Sequence, residues 1–228
     1  MPKLICFDFD DVIVNNKMVF KIPYIGHKLR TFELGAQYLE GNLKPKDFNK
    51  FMNEVMKQLS GVHIDHVMKL LLHMRLQKGA RETLAKLKKE GYKIVIVSTN
   101  DETFIRKFLE KHKLLGYVSH IYAANFGLKN GLMTGKIDGD VIRTEKTGII
   151  PRLEKLYKTN EQEIIYIGDG LTDLPIIKKV GYGILFNPNP LTKMEIFTNK
   201  QLKKKESAGK LFLAEGKDLR CVLEFIPN

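Results

Sequence analysis

The chain has 228 residues, of which 43% are hydrophobic and 28% are charged. These proportions are ordinary for a globular protein of one or two domains, and they exclude collagen-like chains, small disulfide scaffolds and bare linkers. The 38 basic residues outnumber the 26 acidic ones and give a net charge of +12, which is compatible with binding nucleic acid or another anionic surface.

Two features of the sequence bear on the cellular compartment. Cys6 and Cys221 are the only cysteines, and Cys6 falls within an apolar run, where a packing role is predicted. The N-terminal sequence MPKLICFDFDD differs from a secretory signal peptide, and no apolar run approaches the roughly 18 residues of a membrane span. We therefore expect a cytoplasmic protein in a reducing compartment, without a membrane partner.

Short apolar runs that end in polar residues recur along the chain. They occupy residues 4–7, 94–97 and 164–167, with a weaker run at residues 183–186. Such runs predict buried parallel strands. Helices are predicted at residues 80–90, 102–112 and 151–157. This alternation predicts an open α/β sheet, in which ligands bind at the carboxyl ends of the strands.

The segment from about residue 16 to residue 77 breaks the alternation, because its apolar residues follow helical spacing. They recur at three- and four-residue intervals between Phe48 and Leu59, and a second helix continues from Ile64. We predict a small helical domain at residues 16–77, inserted into a core made of residues 1–15 and 78–228.

A β-hairpin is predicted within residues 127–141. Its turn is the pair Asn130-Gly131, which lies between residues that are compatible with strands. This pair favours the tight turn that joins two antiparallel strands.

Carboxylates cluster after two of the predicted strands. Asp8 and Asp10 follow the first strand, and alternation along an extended chain places them on one side, with Asp11 beside them. Asp169 and Asp173 follow the run at residues 164–167. Crowding carboxylates together is costly unless a cation or protons neutralise them. Hard oxygen ligands at neighbouring strand ends suit Mg²⁺, which also binds water and phosphate.

Two other polar residues complete the candidate site. Ser98 lies at the end of its strand and would supply a hydroxyl donor, and Lys146 precedes a helix and would supply a positive charge. Both groups suit the oxygens of a phosphate. Each of these features alone is a weak indication of function, but their order and spacing together are a specific one.

With these residues in place, the sequence resembles the haloacid dehalogenase superfamily of aspartate-nucleophile phosphohydrolases. FDFDDVIV is similar to the first motif of the family, VIVSTN to the second, Lys146 to the third and GDGLTDLP to the fourth. The pair of asparagines in VIVNNK, the hairpin NGLMTGKIDGDV, and the segments GYGILFNPNP and KDLRCVLEFI resemble the phosphoserine-phosphatase-like branch. The resemblance covers nearly the whole chain, with residues 199–210 as an insertion. It implies a Rossmann-like parallel core, a helical cap over the strand ends and a β-hairpin flap.

The resemblance also implies a covalent mechanism. Asp8 would attack the phosphorus and form an aspartyl-phosphate, and Asp10 would protonate the leaving oxygen and then activate water. Mg²⁺ would be held by Asp8, Asp169 and the backbone carbonyl of Asp10. Asp173 would orient Lys146 or complete the outer shell of the metal.

Several residues are expected to contact the phosphate oxygens. Ser98, Lys146 and the backbone amide of Phe9 would stabilise the charge that develops there. Thr99 is the alternative to Ser98, and Asn100 is a further candidate, because members of the family differ in which residue after this strand contacts phosphate.

Lys17 affects which substrate is expected. Phosphoserine phosphatases carry a glutamate just after the asparagine pair, and this glutamate pairs with the amine of serine, whereas Lys17 occupies that position here. A lysine there would repel an ammonium group, so we expect phosphoserine to be a poor substrate and Lys17 to meet an anionic or hydroxyl-rich leaving group. An exposed lysine that takes no part in binding is the open alternative. Asp11 likewise stays open between a solvated turn residue and a catalytic one.

A Mg²⁺-dependent phosphatase of a small phosphorylated metabolite is the function that the sequence favours. The first alternative is a catalytically weak or regulatory phosphate-ester-binding protein on the same scaffold, which the complete set of motif residues disfavours. Nucleic-acid binding is disfavoured because no zinc-finger, aromatic RNA-binding or helix-turn-helix pattern is present. Asp10 argues against a dehalogenase, because cleavage of a carbon–halogen bond needs no acid for the leaving group. The sequence leaves open whether the protein is a monomer or a homodimer.

Overall fold

The structure is a computed structural model that describes residues 4–15 and 48–227. Its strands are β1 (Leu4–Phe7), β2 (Val14–Asn15), β3 (Arg75–Leu76), β4 (Lys93–Asp101), β5 (Val118–Lys129), β6 (Leu132–Asp138), β7 (Ile164–Gly168), β8 (Tyr182–Phe186) and β9 (Leu211–Ala214). Seven of them form one sheet in the order β6-β5-β4-β1-β7-β8-β9, in which only β6 runs antiparallel to its neighbour. β2 and β3 form a separate antiparallel pair.

Helices connect these strands. They are α1 (Phe48–Gln58), α2 (Ile64–Leu72), α3 (Ala80–Lys89), α4 (Glu102–Lys111), α5 (Asp140–Arg143), α6 (Ile150–Tyr157), α7 (Leu174–Lys179), α8 (Pro190–Thr198) and α9 (Lys200–Ser207). The predicted helices α3, α4 and α6 are confirmed to within one residue at each end. Among the described residues, no helix has both the length and the apolar character that crossing a bilayer requires.

The central strands β1 and β7 are buried on both faces of the sheet, as the apolar runs predicted. Successive residues of the central strand β1 point to opposite sides: Ile5 and Phe7 pack in one hydrophobic cluster, and Leu4 and Cys6 pack in the other. Cys6 is therefore a packing residue, as predicted. Since β1 lies between β4 and β7, the polar residues that follow these three strands come together at one edge of the sheet.

The predicted β-hairpin is confirmed. Its turn residues Asn130 and Gly131 have φ angles of 51° and 78°, the left-handed conformation that such turns require. The first strand, β5, is longer than predicted and begins at Val118, where it pairs with β4 in the main sheet. At its far end the hairpin bonds the residues between α1 and α2, through Gly61 N–H to Met133 O (2.8 Å) and Met133 N–H to Val62 O (2.9 Å).

Helices α1 and α2 confirm the helical character predicted from residue 48 onwards. Their buried side chains, which include Met56 and Met68, share one hydrophobic cluster with Phe9 and Phe108. Helix α2 lies against α4, which carries Phe108. Lys17 lies outside the described residues.

The C-terminal part contains elements that the sequence did not predict, helices α8 and α9 and strand β9. Residues 199–210, recognised as an insertion, contain the lysine-rich helix α9, which Asn199 caps by accepting from the N–H groups of Gln201 and Leu202. Strand β9 follows and pairs with β8 at the edge of the sheet. Its inner residues Phe212 and Leu213 are half-buried, so the strand lacks the continuous burial of the central ones.

Candidate active site

The candidate site lies where β1, β4 and β7 end. Asp8 follows β1, and Asp169 follows β7, as the parallel register of the two strands requires. The pairing of β4 with β5 is irregular between Val97 and Asp101. Such irregularities re-aim side chains next to active sites, and here the irregular stretch contains Ser98.

Lys146 is the central cation of the site. Its side chain is 1% exposed, and Nζ lies 2.7 Å from Asp173 Oδ1 and 3.1 Å from Asp8 Oδ2. Burial opposes the charged form, but the two carboxylates outweigh it and hold the pKa of Lys146 above its usual value. Lys146 therefore stays protonated between the nucleophile candidate and a second acid.

Asp173 is fully buried, and four hydrogen bonds use both of its oxygens. Oδ1 accepts from Lys146 Nζ and from the hydroxyl of Tyr166 at 2.8 Å. Oδ2 accepts from the N–H groups of Asp169 (2.9 Å) and Gly170 (3.1 Å). This geometry allows Asp173 to orient Lys146, which stays a predicted role. The sequence missed Tyr166, because a tyrosine inside an apolar strand has the pattern of a core residue.

Gly168 permits the close approach of Asp173. A Cβ atom at Gly168 would lie 2.3 Å from both Cγ and Oδ2 of Asp173, a separation that two such atoms do not adopt. A side chain at this position would therefore displace the carboxylate from Lys146.

Three carboxylates can be tested as a metal site. Asp8, Asp169 and Asp173 each offer an oxygen within 4.8 Å of the others. Because four hydrogen bonds use all the lone pairs of the Asp173 carboxylate, Asp8 and Asp169 are the direct ligands that the structure favours. The backbone carbonyl of Asp10 stays a predicted third ligand.

The charge around these oxygens fits a divalent cation. Burial, opposed by Lys146 and reinforced by Asp173 and Asp10, raises the pKa of Asp8 to about 8. Burial and the charges of Asp173 and Asp8 also raise the pKa of Asp169 well above its usual value. A hard cation such as Mg²⁺ would relieve this crowding of negative charge, so the donor set fits the predicted ion.

Asp10 is half-buried and is held from β4. Asn100 Nδ2 lies 3.2 Å from Asp10 Oδ1 and 3.1 Å from Oδ2. Burial raises the pKa of Asp10 to about 6, against the lowering effect of the hydrogen bond from Asn100. Ser98 is fully buried beside it, whereas Thr99 is half-buried. The side chain of Asn100, predicted as a phosphate contact, thus bonds the second catalytic candidate.

Phe9 fixes Asp8 in two ways. Its backbone N–H, predicted to bind phosphate, donates to Asp8 Oδ1 at 2.7 Å. Its ring is buried and packs edge-to-face on Phe104 and Phe108 of α4, at centroid distances of 5.6 Å and 5.5 Å. The residue after the nucleophile candidate is therefore anchored in the core.

Asp101 is a buried residue that the sequence analysis missed. Its Oδ1 accepts from Phe104 N–H at 3.1 Å and caps α4, and its Oδ2 accepts from Phe126 N–H at 3.0 Å. It thereby joins the end of β4 to the hairpin. An aspartate immediately before a helix is a capping signal, but the bond to Phe126 is not visible in the sequence.

A cleft of about 680 Å³ opens beside the carboxylates and is lined by Asp11, Asp169 and Gln77, among others. Asp11 has a φ angle of 54°, which is the left-handed conformation of a turn residue. Its charge also helps to raise the pKa of Asp10 and of Asp169. Asp11 therefore lies near both acids, and its function stays open.

The chain is similar in sequence and in fold to known proteins. The family model described as haloacid dehalogenase-like hydrolase matches residues 5–178. Phosphoserine phosphatase of Methanocaldococcus jannaschii is 29% identical over 226 residues, which are 98% of this chain and 97% of that protein. Phosphoserine phosphatase of Lactococcus lactis is 26% identical over 85% of this chain and 87% of its own. A solved structure of a substrate-bound phosphoserine phosphatase complex has a TM-score of 0.81 at 27% identity, covering 100% of this chain and 99% of the other.

Proposed function

The chain belongs to the haloacid dehalogenase-like hydrolase family and is a phosphatase of its phosphoserine-phosphatase-like branch, and we propose that it hydrolyses a small phosphorylated metabolite through an aspartyl-phosphate on Asp8. The observation that carries the proposal is the buried contact of Lys146 with both Asp8 and Asp173. Such a contact places a fixed positive charge where the negative charge of a phosphate would otherwise repel a carboxylate nucleophile.

Asp8 forms and later releases the covalent bond to phosphorus. One of its oxygens attacks the phosphorus, and the bond from phosphorus to the ester oxygen breaks. Asp10 gives a proton to that departing oxygen and then takes one from the water that attacks the aspartyl-phosphate, which regenerates Asp8 and yields inorganic phosphate. Lys146 and Ser98 are the groups that bind the remaining phosphate oxygens.

Asp8, Asp169 and the backbone carbonyl of Asp10 are the groups that would hold Mg²⁺. Bound there, the ion would withdraw charge from the phosphate and from the attacking carboxylate. Asp173 keeps Lys146 in place through their 2.7 Å contact, and the hydroxyl of Tyr166 holds the same oxygen of Asp173.

The proposal assigns residues 1–15 and 78–228 to the catalytic core and residues 16–77 to a cap that reads the leaving group. The hydrophobic cluster that α1 and α2 share with Phe9, and the hydrogen bonds from the segment between these helices to the β5–β6 hairpin, support this division. A cap that closes over the strand ends excludes water from the aspartyl-phosphate until the leaving group has departed.

Dependence on magnesium is the direct test of the proposed function. The purified protein is expected to release phosphate from p-nitrophenyl phosphate with Mg²⁺ present, to lose this activity on chelation with EDTA and to regain it when Mg²⁺ is restored. Phosphate release that does not depend on a divalent ion would contradict the assignment. Binding of inorganic phosphate without any hydrolysis would support the regulatory alternative instead.

Lys17 is proposed to select against phosphoserine, on the grounds that it occupies the position of the amine-binding glutamate. In a panel of small phosphate esters, kcat/KM for phosphoserine is expected to fall at least roughly tenfold below that for the best substrate, because like charges repel at this position. Lys17→Glu is expected to narrow that gap, and Lys17→Met separates loss of the positive charge from gain of the negative one. Turnover of phosphoserine at the rate of the best substrate would show that Lys17 does not set specificity.

A further inference from the structure

Asn100 is placed to act on Asp10 rather than on the phosphate. It is 1% exposed at the end of β4, and its Oδ1 accepts from the N–H of Asp101 at 2.8 Å. Because that oxygen already has a backbone donor, the amide nitrogen is the atom that faces Asp10, at 3.2 Å and 3.1 Å from the two carboxyl oxygens. The network thus fixes the orientation of the amide.

Ser98 also bonds Asn100, and the proposed reaction needs its hydroxyl donor for the phosphate. Its Oγ accepts from the N–H of Asn100 at 3.1 Å. A serine has one hydroxyl hydrogen, so Ser98 cannot donate to Asp10 and to a phosphate oxygen at the same time. When Ser98 donates to the phosphate, the side-chain amide of Asn100 is left to hold Asp10.

We propose that Asn100 is a positioning residue that holds the carboxyl group of Asp10 toward the leaving oxygen while Ser98 binds the phosphate. This inference rests on the proposed function, and it differs from the phosphate contact that the family resemblance implies for Asn100. The amide nitrogen of Asn100 can only donate a hydrogen bond, so it binds the unprotonated oxygen of the Asp10 carboxyl group. The proton of Asp10 then lies on the other oxygen, from which it passes to the departing group.

The test compares two esters whose leaving groups need acid assistance to different degrees. p-Nitrophenolate departs readily without a proton, whereas the alkoxide of glycerol phosphate does not. In Asn100→Ala, kcat/KM is expected to fall by roughly tenfold or more for glycerol phosphate and by markedly less for p-nitrophenyl phosphate, since a positioned general acid contributes most where the leaving group is poor. Competitive inhibition by inorganic phosphate is expected to change by less than about threefold, because the phosphate contacts are intact.

Two additional variants keep the result interpretable. Asn100→Asp retains the shape and the oxygen that accepts from Asp101 N–H but replaces the donor, so it is expected to show the same selective loss even where Asn100→Ala does not fold. Asn199→Ala is the matched control, because this half-buried asparagine also bonds backbone N–H groups, as the cap of α9. It is expected to lower the melting temperature and to leave the ratio of the two kcat/KM values unchanged.

The other outcomes overturn the inference in different ways. Weaker inhibition by phosphate, in proportion to the loss of activity, would show that Asn100 contacts the phosphate. Equal losses on the two esters, or no loss, would show that the amide does not position the acid. Wild-type protein that hydrolyses neither ester with Mg²⁺ would overturn the proposed function itself, before any variant is compared.

Discussion

Asp8→Asn is expected to abolish phosphate release, with a loss on the order of 10³-fold or more, because an amide cannot form the acyl-phosphate through which the reaction is proposed to proceed. The variant is expected to fold. Phe9 N–H keeps an acceptor in the amide oxygen, and Lys146 keeps its shorter contact, 2.7 Å to Asp173. Activity with Mg²⁺ and unfolding by urea, measured on the same preparation, check both halves of the prediction.

The pH dependence of stability gives Asp8→Asn a second signature. Burial, reinforced by the charges of Asp173 and Asp10, raises the folded-state pKa of Asp8 to about 8, above its usual value of 3.8. The folded state therefore binds more protons than the unfolded state between these values. The stability that the proton contributes is present below about pH 4 and is lost as the pH rises through about 8. Metal-free wild-type protein should lose stability over this range, and Asp8→Asn should lose less.

A matched substitution separates the loss of the nucleophile from a general effect of removing a carboxylate. Asp65 is exposed on α2, so Asp65→Asn is expected to retain wild-type activity and the wild-type pH dependence of unfolding. If Asp8→Asn retained a tenth or more of the activity, the covalent mechanism through Asp8 would be wrong. If its stability varied with pH as steeply as that of the wild type, the proton would reside elsewhere in the cluster.

Local sequence patterns were sufficient to predict the parallel strands β1, β4, β7 and β8 and the helices α3, α4 and α6. The runs that form β1 and β7 are continuously apolar because both faces of the sheet are covered there. Such runs can be recognised in a single sequence. Strand β9 was missed because its inner residues are only half-buried. The first part of β5 was missed for the same reason, since its residues from Val118 to Ala123 are half-buried or exposed.

The members of the site were easier to predict than their partners. Asp8 and Asp169 follow buried strands, so their proximity follows from the parallel topology. The partners depend on side chains that meet only in the folded chain. The bond from Tyr166 to Asp173 and the bond from Asn100 to Asp10 each join residues with no periodic relation. Propensity and spacing describe one segment at a time, so they cannot report such contacts.

The net charge of +12 on the chain contrasts with the many acidic residues of this site. Five carboxylates surround the strand ends, at Asp8, Asp10, Asp11, Asp169 and Asp173, and Lys146 is the buried cation among them. The other basic residues would attract anionic phosphate esters over distances of about a Debye length. The magnitude of this attraction would fall with ionic strength.

Lys146→Met is expected to destabilise the protein by about 3–5 kcal/mol, because it leaves Asp8 and Asp173 buried without their cation. The loss should be smaller at low pH, where protons neutralise the carboxylates. Activity is expected to fall on the order of 10²-fold or more, since a fixed positive charge at the phosphate is lost. Urea unfolding between pH 5 and pH 8 and phosphate release with saturating Mg²⁺ measure the two effects.

Lys205 provides the matched control, because it is also a partly buried lysine but its Nζ bonds backbone carbonyls, those of Ile177 and Val180, rather than carboxylates. Burial lowers the pKa of Lys205 to about 8, in contrast to Lys146. Lys205→Met is therefore expected to cost less stability and to retain full activity.

The double variant Lys146→Met, Asp173→Asn tests whether Lys146 and Asp173 depend on one another. Its loss of stability is expected to be smaller than the sum of the losses in the two single variants, because each substitution removes the charge that the other leaves unpaired. Strict additivity would mean that Lys146 and Asp173 do not depend on one another, and the proposed orienting role of Asp173 would then be wrong.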